Sequence, residues 1–294
     1  MSLTIQRVLV VGAGWTGRQI AAQSASHGFT TYVTDANKSV LASVTALIDA
    51  YTREQLQAGI WSQDRMDALK KNLFVCNTPT DLQDLPDLVI ESVSEQSSTK
   101  RKVLKEFSQR YSSPTIIASN SSYFLPSQLS RYVEEPSRFA HLHFHVPVAY
   151  ATLVDIVPGP NCDELVVEQL QLFSESIGQT PLVQSVENPG YVFNWMLQSL
   201  LKSALELIDR NIATPEQIDL AWKTVTKMPL GPMGIIDRIG VDVVLQVLQN
   251  ARWAEDSESL DRMISILEPL VQQGKLGWKS GAGFFNYSDE EKAS

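Results

Sequence analysis

Residues 8–17 constrain this chain more than any other stretch. Val8-Leu9-Val10-Val11 is an unbroken apolar run of the kind found in a strand buried on both faces. It leads directly into Gly12-Ala13-Gly14-Trp15-Thr16-Gly17, a G-x-G-x-x-G spacing, and Arg18 to His27 then reads as a helix. Thr30 to Thr34 follows as a β-branched second strand, with Asp35 at its end, 18 residues beyond Gly17. In such a strand–turn–helix–strand unit Gly12 permits the tight turn and Gly14 lets the backbone approach a pyrophosphate. Gly17 allows the helix to pack closely on the strand, and the helix's first amides face the phosphates. An acid at Asp35 accepts a hydrogen bond from a ribose 2′-hydroxyl and repels a 2′-phosphate, so NAD is expected over NADP, with Lys38 softening the preference. A glycine turn that holds no cofactor is the plain alternative, and FAD shares the fingerprint.

The rest of the first half continues the alternation. Residues 37–71 have helical periodicity, broken near Gly59, and Thr99 to Tyr111 is helical between short buried strands at Asp87 to Glu91 and Thr115 to Ala118. His141 to Val146 and Thr152 to Val157 read as a further strand pair, with Gln169 to Ile177 helical before a last strand near Pro181 to Ser185. Beyond Glu187-Asn188-Pro189-Gly190 the β-branched runs stop. Phe193, Leu197, Leu200, Leu201, Ala204, Leu205 and Ile208 share one helix face, and Thr214-Pro215-Glu216-Gln217 opens the next helix as a capping box. Pro229 and Pro232 interrupt the chain before helices around 240–251 and 259–273. The pattern predicts an α/β fold: a Rossmann-type doubly wound, mostly parallel sheet over residues 1–187, followed by an all-helical domain over 188–294.

Composition narrows the partners. At 24 Lys and Arg against 33 Asp and Glu, the net charge of −9 disfavours a nucleic-acid partner, which needs cations against phosphates. No apolar run nears the ~20 residues of a membrane span. Cys76 and Cys162 have no metal or redox spacing and read as free thiols in a cytoplasmic protein.

Three of the four histidines lie in His141-Leu142-His143-Phe144-His145, and a strand projects all three to one face. Such a row can be packed or solvated, can share a metal ion, or can contain a general base, with Asp155 on the next strand as the orienting carboxylate. Periodicity does not choose among these readings or among the three histidines.

Seven segments in order give the chain a family likeness. They are Gly12 to Gly17, Val89 to Glu95, Ala118 to Ser122, Leu142-His143-Phe144, Asn188 to Asn194, Pro229-Leu230-Gly231-Pro232 and Gly274 to Tyr287. Through them the sequence resembles the 3-hydroxyacyl-CoA dehydrogenase family over essentially its whole length. The resemblance implies an NAD-dependent, metal-free oxidation of a 3-hydroxyacyl-CoA of short chain. It implies that His143 removes the hydroxyl proton, paired with Asp155, while Ser122 and Asn194 hold substrate oxygens. Glu95, Lys100 and Asn120 fall near the nicotinamide end of the cofactor, and Gly12, Gly14, Trp15, Thr16, Gly17 and Asp35 near its other half. It implies a homodimer through the helical domain, and it gives His141 and His145 no role.

The sequence departs from the family pattern at four places. Thr16 stands where Met is common, and His145-Val146-Pro147 replaces the usual Phe-Asn-Pro. Asp155 is one methylene shorter than the usual Glu, and residues 37–71 carry only Lys38, Arg53, Arg65, Lys70 and Lys71 as cations for a CoA phosphate. These differences make a free 3-hydroxy acid, sugar acid or diketo ester the alternative substrate, and an NAD-binding protein without turnover the third reading.

Overall fold

In the computed structural model, residues 4–78, 82, 84–251 and 257–288 are described. The chain divides into two units, residues 1–191 and 192–294. In the first, β1 (Arg7–Val11), α1 (Trp15–Ser26) and β2 (Thr30–Thr34) form the opening βαβ unit. Then come α2 (Lys38–Gln57), α3 (Gln63–Asn72), β3 (Leu73–Val75), β4 (Leu88–Glu91), α4 (Ser97–Arg110) and β5 (Ile116–Ser119). The unit continues with the single-turn α5 (Pro126–Leu129), β6 (Phe139–Phe144), β7 (Leu153–Pro158), α6 (Glu164–Ser176) and β8 (Thr180–Val183).

The eight strands form one sheet in the order β3-β2-β1-β4-β5-β6-β7-β8. Every neighbouring pair is parallel except β6 with β7. The strand order reverses at β1, which lies between β2 and β4. That is the switch point where loops leave in opposite directions and a crevice opens at the carboxyl ends. Strand residues alternate between two cores: Val8, Val10, Leu88, Ile90, Ala140 and Leu142 pack on one face, and Leu9, Val11, Val89, Ile117 and Phe139 on the other. Burial on both faces explains why these strands read as continuous apolar runs.

The short edge strand β3 does not stand out in the sequence, because three residues appended to a helix carry no periodicity of their own. It pairs with β2 from Leu73 to Val75.

The second unit is helical: α7 (Tyr191–Asp209, its first residue closing unit one), α8 (Pro215–Thr226), α9 (Pro232–Ile239), α10 (Val241–Ala251) and α11 (Ser257–Gln272). The capping box at α8 forms, with Thr214 Oγ1 accepting from Gln217 N–H and the Gln217 side chain accepting from Thr214 N–H. Pro232 does not merely break the chain; it occupies the first turn of α9, where a missing N–H costs nothing.

Two buried acids hold the proline- and glycine-rich segments. Asp219 accepts from Met233 and Gly234 N–H at the start of α9. Asp237, fully buried, accepts from Phe284 and Phe285 N–H and from Tyr287 O–H, tying the C-terminal segment down. No helix among the described residues is long and apolar enough to cross a membrane.

Candidate active site

The glycine turn is built from backbone that tolerates no side chain. Gly12 has φ +106°, and a Cβ there would lie 2.4 Å from the Ser92 carbonyl oxygen; one on Gly17 would lie 1.9 Å from that of Gly12. A Cβ on Gly14 would meet nothing within 4 Å, so this side of the turn is open to an approaching group. Gly14 is also the N-cap of α1, which has neither a capping side chain nor an acid in its first turn. The first amides are thus free of an internal anion. Asp35 sits across the turn, its Oδ2 accepting from Ala13 N–H at 2.8 Å and its Oδ1 from Asn37 N–H at 2.8 Å. Trp15 is half exposed, edge-on to Tyr51, with the Arg18 guanidinium over its ring. Thr16 is partly buried beside it. Open Gly14, uncapped amides and Asp35 at the second strand's end fit the phosphate and ribose ends of NAD.

Across the switch point, β4 and β5 end in a buried ionic cluster. Lys100, 1% exposed, lies 2.8 Å from Glu91 and 3.0 Å from Glu95. Glu91 also accepts from Ser119 O–H at 2.6 Å and Val93 N–H at 2.8 Å. Glu95 accepts from the Ser121 hydroxyl and from Ser122 and Tyr123 N–H at 3.1 and 3.0 Å. Burial alone would raise the Glu95 carboxyl, but Lys100 and these donors outweigh it and hold it below the usual range. Asn120 receives Phe144 N–H on Oδ1 at 2.8 Å, stitching the loop after β5 to β6. Glu91 was not singled out for a role from the sequence; an acid ending an apolar strand, nine residues before a lysine on the following helix, is the signal that could have found it.

Ser122 joins this cluster to the histidines. Its Oγ is 3.0 Å from His143 Nε2, and His143 Nδ1 is 3.1 Å from Asp155 Oδ2. The antiparallel register sets His143 directly opposite Asp155, on the sheet face opposite Leu142 and Ile156. Asp155 is fully buried and has two further donors: His145 Nε2 at 2.9 Å on the same oxygen and Gln184 Nε2 at 3.0 Å on the other. Burial would raise its carboxyl, but the two histidines outweigh that and hold it below the usual range. Burial lowers the His143 imidazole from its usual value, with His145 adding to the effect and Asp155 opposing it.

The Tyr191 ring stacks on His143 at 4.5 Å between centroids and 20° between planes. Its hydroxyl donates to the Ser121 carbonyl and lies 3.0 Å from His141 Nδ1. Since that hydroxyl's proton is committed, His141 must donate through Nδ1. Burial, with Lys100 and His143 adding, pushes its imidazole well below the usual value, so the ring is neutral. These bonds hold Tyr191 at φ +55°, an unusual conformation for an aromatic residue. The structure thus brings together Ser122, His143, Asp155, Glu95, Lys100 and Asn120. Asn194 lies on α7 in the second unit. Tyr191, Gln184 and the second histidine on Asp155 were not foreseen from the sequence.

The description of the 3-hydroxyacyl-CoA dehydrogenase NAD-binding domain matches residues 7–187, and that of the C-terminal domain of the same enzymes matches 190–287. The chain belongs to the 3-hydroxyacyl-CoA dehydrogenase family. It is 30% identical to a probable 3-hydroxybutyryl-CoA dehydrogenase of Deinococcus radiodurans, over 95% of this chain and 99% of that protein. Among solved structures it is similar to a diketoreductase (30% identity, TM-score 0.89, 98% and 100% of the two chains). It is also similar to the (S)-3-hydroxybutyryl-CoA dehydrogenase of Ralstonia eutropha (26% identity, TM-score 0.86, 97% and 100%). The chain is therefore an NAD-dependent dehydrogenase of the hydroxyacyl type.

Proposed function

We propose that the chain oxidises a short-chain (S)-3-hydroxyacyl-CoA, of about the size of 3-hydroxybutyryl-CoA, to the 3-ketoacyl-CoA, with His143 as general base. The observation that carries this reading is the chain of contacts from Ser122 Oγ through both His143 ring nitrogens to Asp155. With Nδ1–H directed at the carboxylate, Nε2 keeps a lone pair that can take a hydroxyl proton. Asp155 then stabilises the imidazolium so formed, and Gln184 and His145 keep the carboxylate from turning away. Bound at the glycine turn, NAD supplies the acceptor for the hydride that leaves the carbinol carbon. Ser122 and Asn194 hold the substrate oxygens, and Glu95 holds Ser122 through its backbone amide. Trp15, Thr16 and Asp35 border the nucleotide, with Glu95, Lys100 and Asn120 toward its nicotinamide end.

The likeness to a diketoreductase favours a second reading, in which a free 3-hydroxy acid or dicarbonyl compound replaces the thioester. Arg65 supports it. Its guanidinium donates to Gln23 and Ser26 and stacks over Trp61, so it is not free for a CoA phosphate. NADH oxidation with acetoacetyl-CoA, set against a panel of free β-keto acids, separates the two; no turnover of the thioester ends the first. The helical unit leaves Phe193, Trp195, Met196, Leu220, Val225 and Met228 exposed, which supports a homodimer through that unit. Sedimentation equilibrium measures it directly, and a monomer at micromolar concentration ends that part.

A further inference from the structure

The two histidines that share Asp155 form more than a hydrogen-bonded row. His143, His145 and Asp155 each offer a donor atom, and all three lie within 4.8 Å of one another. Two imidazoles and one carboxylate are the donor set of many zinc sites, and no thiolate is present to select a softer ion. A tetrahedral zinc needs donors about 3.3–3.5 Å apart, given bonds of roughly 2.0–2.2 Å. The contacts to Asp155 Oδ2 are 3.1 Å from His143 and 2.9 Å from His145, a few tenths of an ångström short of that spacing. The two imidazole donors, within 4.8 Å, form the wide side of the triangle and must swing toward each other to close on an ion.

The surroundings also suit such a site. Metal ligands are normally held by an outer partner on their second polar atom. Here His143 Nε2 faces Ser122 Oγ at 3.0 Å, and Asp155 Oδ1 receives the Gln184 amide at 3.0 Å. His145 has the most exposed side chain of the three, at 11%, and marks the side of entry. We propose that His143, His145 and Asp155 bind a divalent cation, zinc above all, and that this cation reversibly switches the dehydrogenase off.

The inhibition follows from the tautomer. A cation on His143 Nδ1 takes the lone pair there and leaves the ring proton on Nε2, directed at Ser122. Nε2 then has nothing with which to accept a hydroxyl proton, so metal binding and turnover exclude each other. This arm rests on the proposed role of His143; the binding arm does not.

The test uses the full chain, stripped with chelator, and Co2+ as a visible probe. One equivalent of Co2+ is expected to give the absorption of a four-coordinate site, bleached by Zn2+. Zn2+ is expected to abolish NAD-linked turnover, and chelator to restore it. His145→Phe should weaken both Co2+ binding and Zn2+ inhibition by more than the roughly 10–100-fold typical of losing an outer partner, since a direct ligand is removed, each judged against that variant's own metal-free rate. X-ray absorption of the unmodified Zn2+-loaded chain should count two imidazoles and no sulfur, which needs no variant to fold. Absent Co2+ absorption, sulfur ligation, or inhibition unchanged in His145→Phe overturns the site. Co2+ and Zn2+ bound at this site without inhibition would keep the site and remove His143 as the base.

Discussion

Two buried ionic clusters stand on neighbouring strands of one sheet, and they solve the cost of burying charge differently. At β4 and β5, Glu91 meets the ammonium of Lys100, and its other oxygen contacts are a backbone amide and a hydroxyl. At β6 and β7, Asp155 meets two imidazole rings and the neutral side-chain amide of Gln184, with no lysine or arginine against it. The first arrangement is a scaffold: removing one partner strands a charge, so nothing there is free to react. The second is poised, because its counter-charge exists only when a histidine is protonated. Ser122 joins them, fixed by Glu95 through its backbone and offering its hydroxyl to His143.

The contrast can be broken from either side. His143→Asn should lower kcat by about 10²–10⁴-fold with a small change in NAD affinity, measured by steady-state kinetics and by NADH fluorescence. Lys100→Met should instead act on stability, losing about 3–5 kcal/mol in denaturant unfolding because Glu91 is left buried and unpaired. If Lys100→Met changed only kinetics, the scaffold description would fail. Tyr191→Phe keeps the stacked ring but leaves His141 Nδ1–H without its acceptor. It should cost about 1–3 kcal/mol of stability and less in kcat than the His143 variant.

The pH profile sharpens the same contrast. His143 must be neutral to accept a proton, and its imidazole is held below the usual 6.5. The acid limb of kcat/KM should therefore have its half-point below pH 6.5, with more than half of the activity retained at 6.5; a half-point above it contradicts burial as the dominant effect. In the helical unit, Thr214→Ala removes one cap and should cost only about 1 kcal/mol, with kinetics unchanged.

The βαβ opening was legible because its determinants are local. A strand buried on both faces needs an apolar run, a turn this tight needs Gly12, and the helix that follows Gly14 needs Gly17. The capping box at α8 was legible for the same reason. That a histidine of the 141–145 row could pair with Asp155 was readable as polar residues on consecutive strands; which histidine was not, and the antiparallel register sets His143 opposite it. Tyr191 and Gln184 were not readable, since both reach the cluster from segments that no short-range pattern connects to β6. Nor was β3, whose three residues become a strand only because β2 offers an unpaired edge.

By itself, then, the order of residues determined a Rossmann-type unit followed by helices, a glycine turn suited to NAD, and a short list of polar candidates. These follow from local sterics and periodicity, which act over a few residues at a time. Only the tertiary structure decided which polar groups share an oxygen. Asp155 has two histidines on one oxygen and an amide on the other because β6, β7 and the end of β8 converge there. Electrostatics and hydrogen bonding depend on distance through space, and no spacing along the chain encodes that distance.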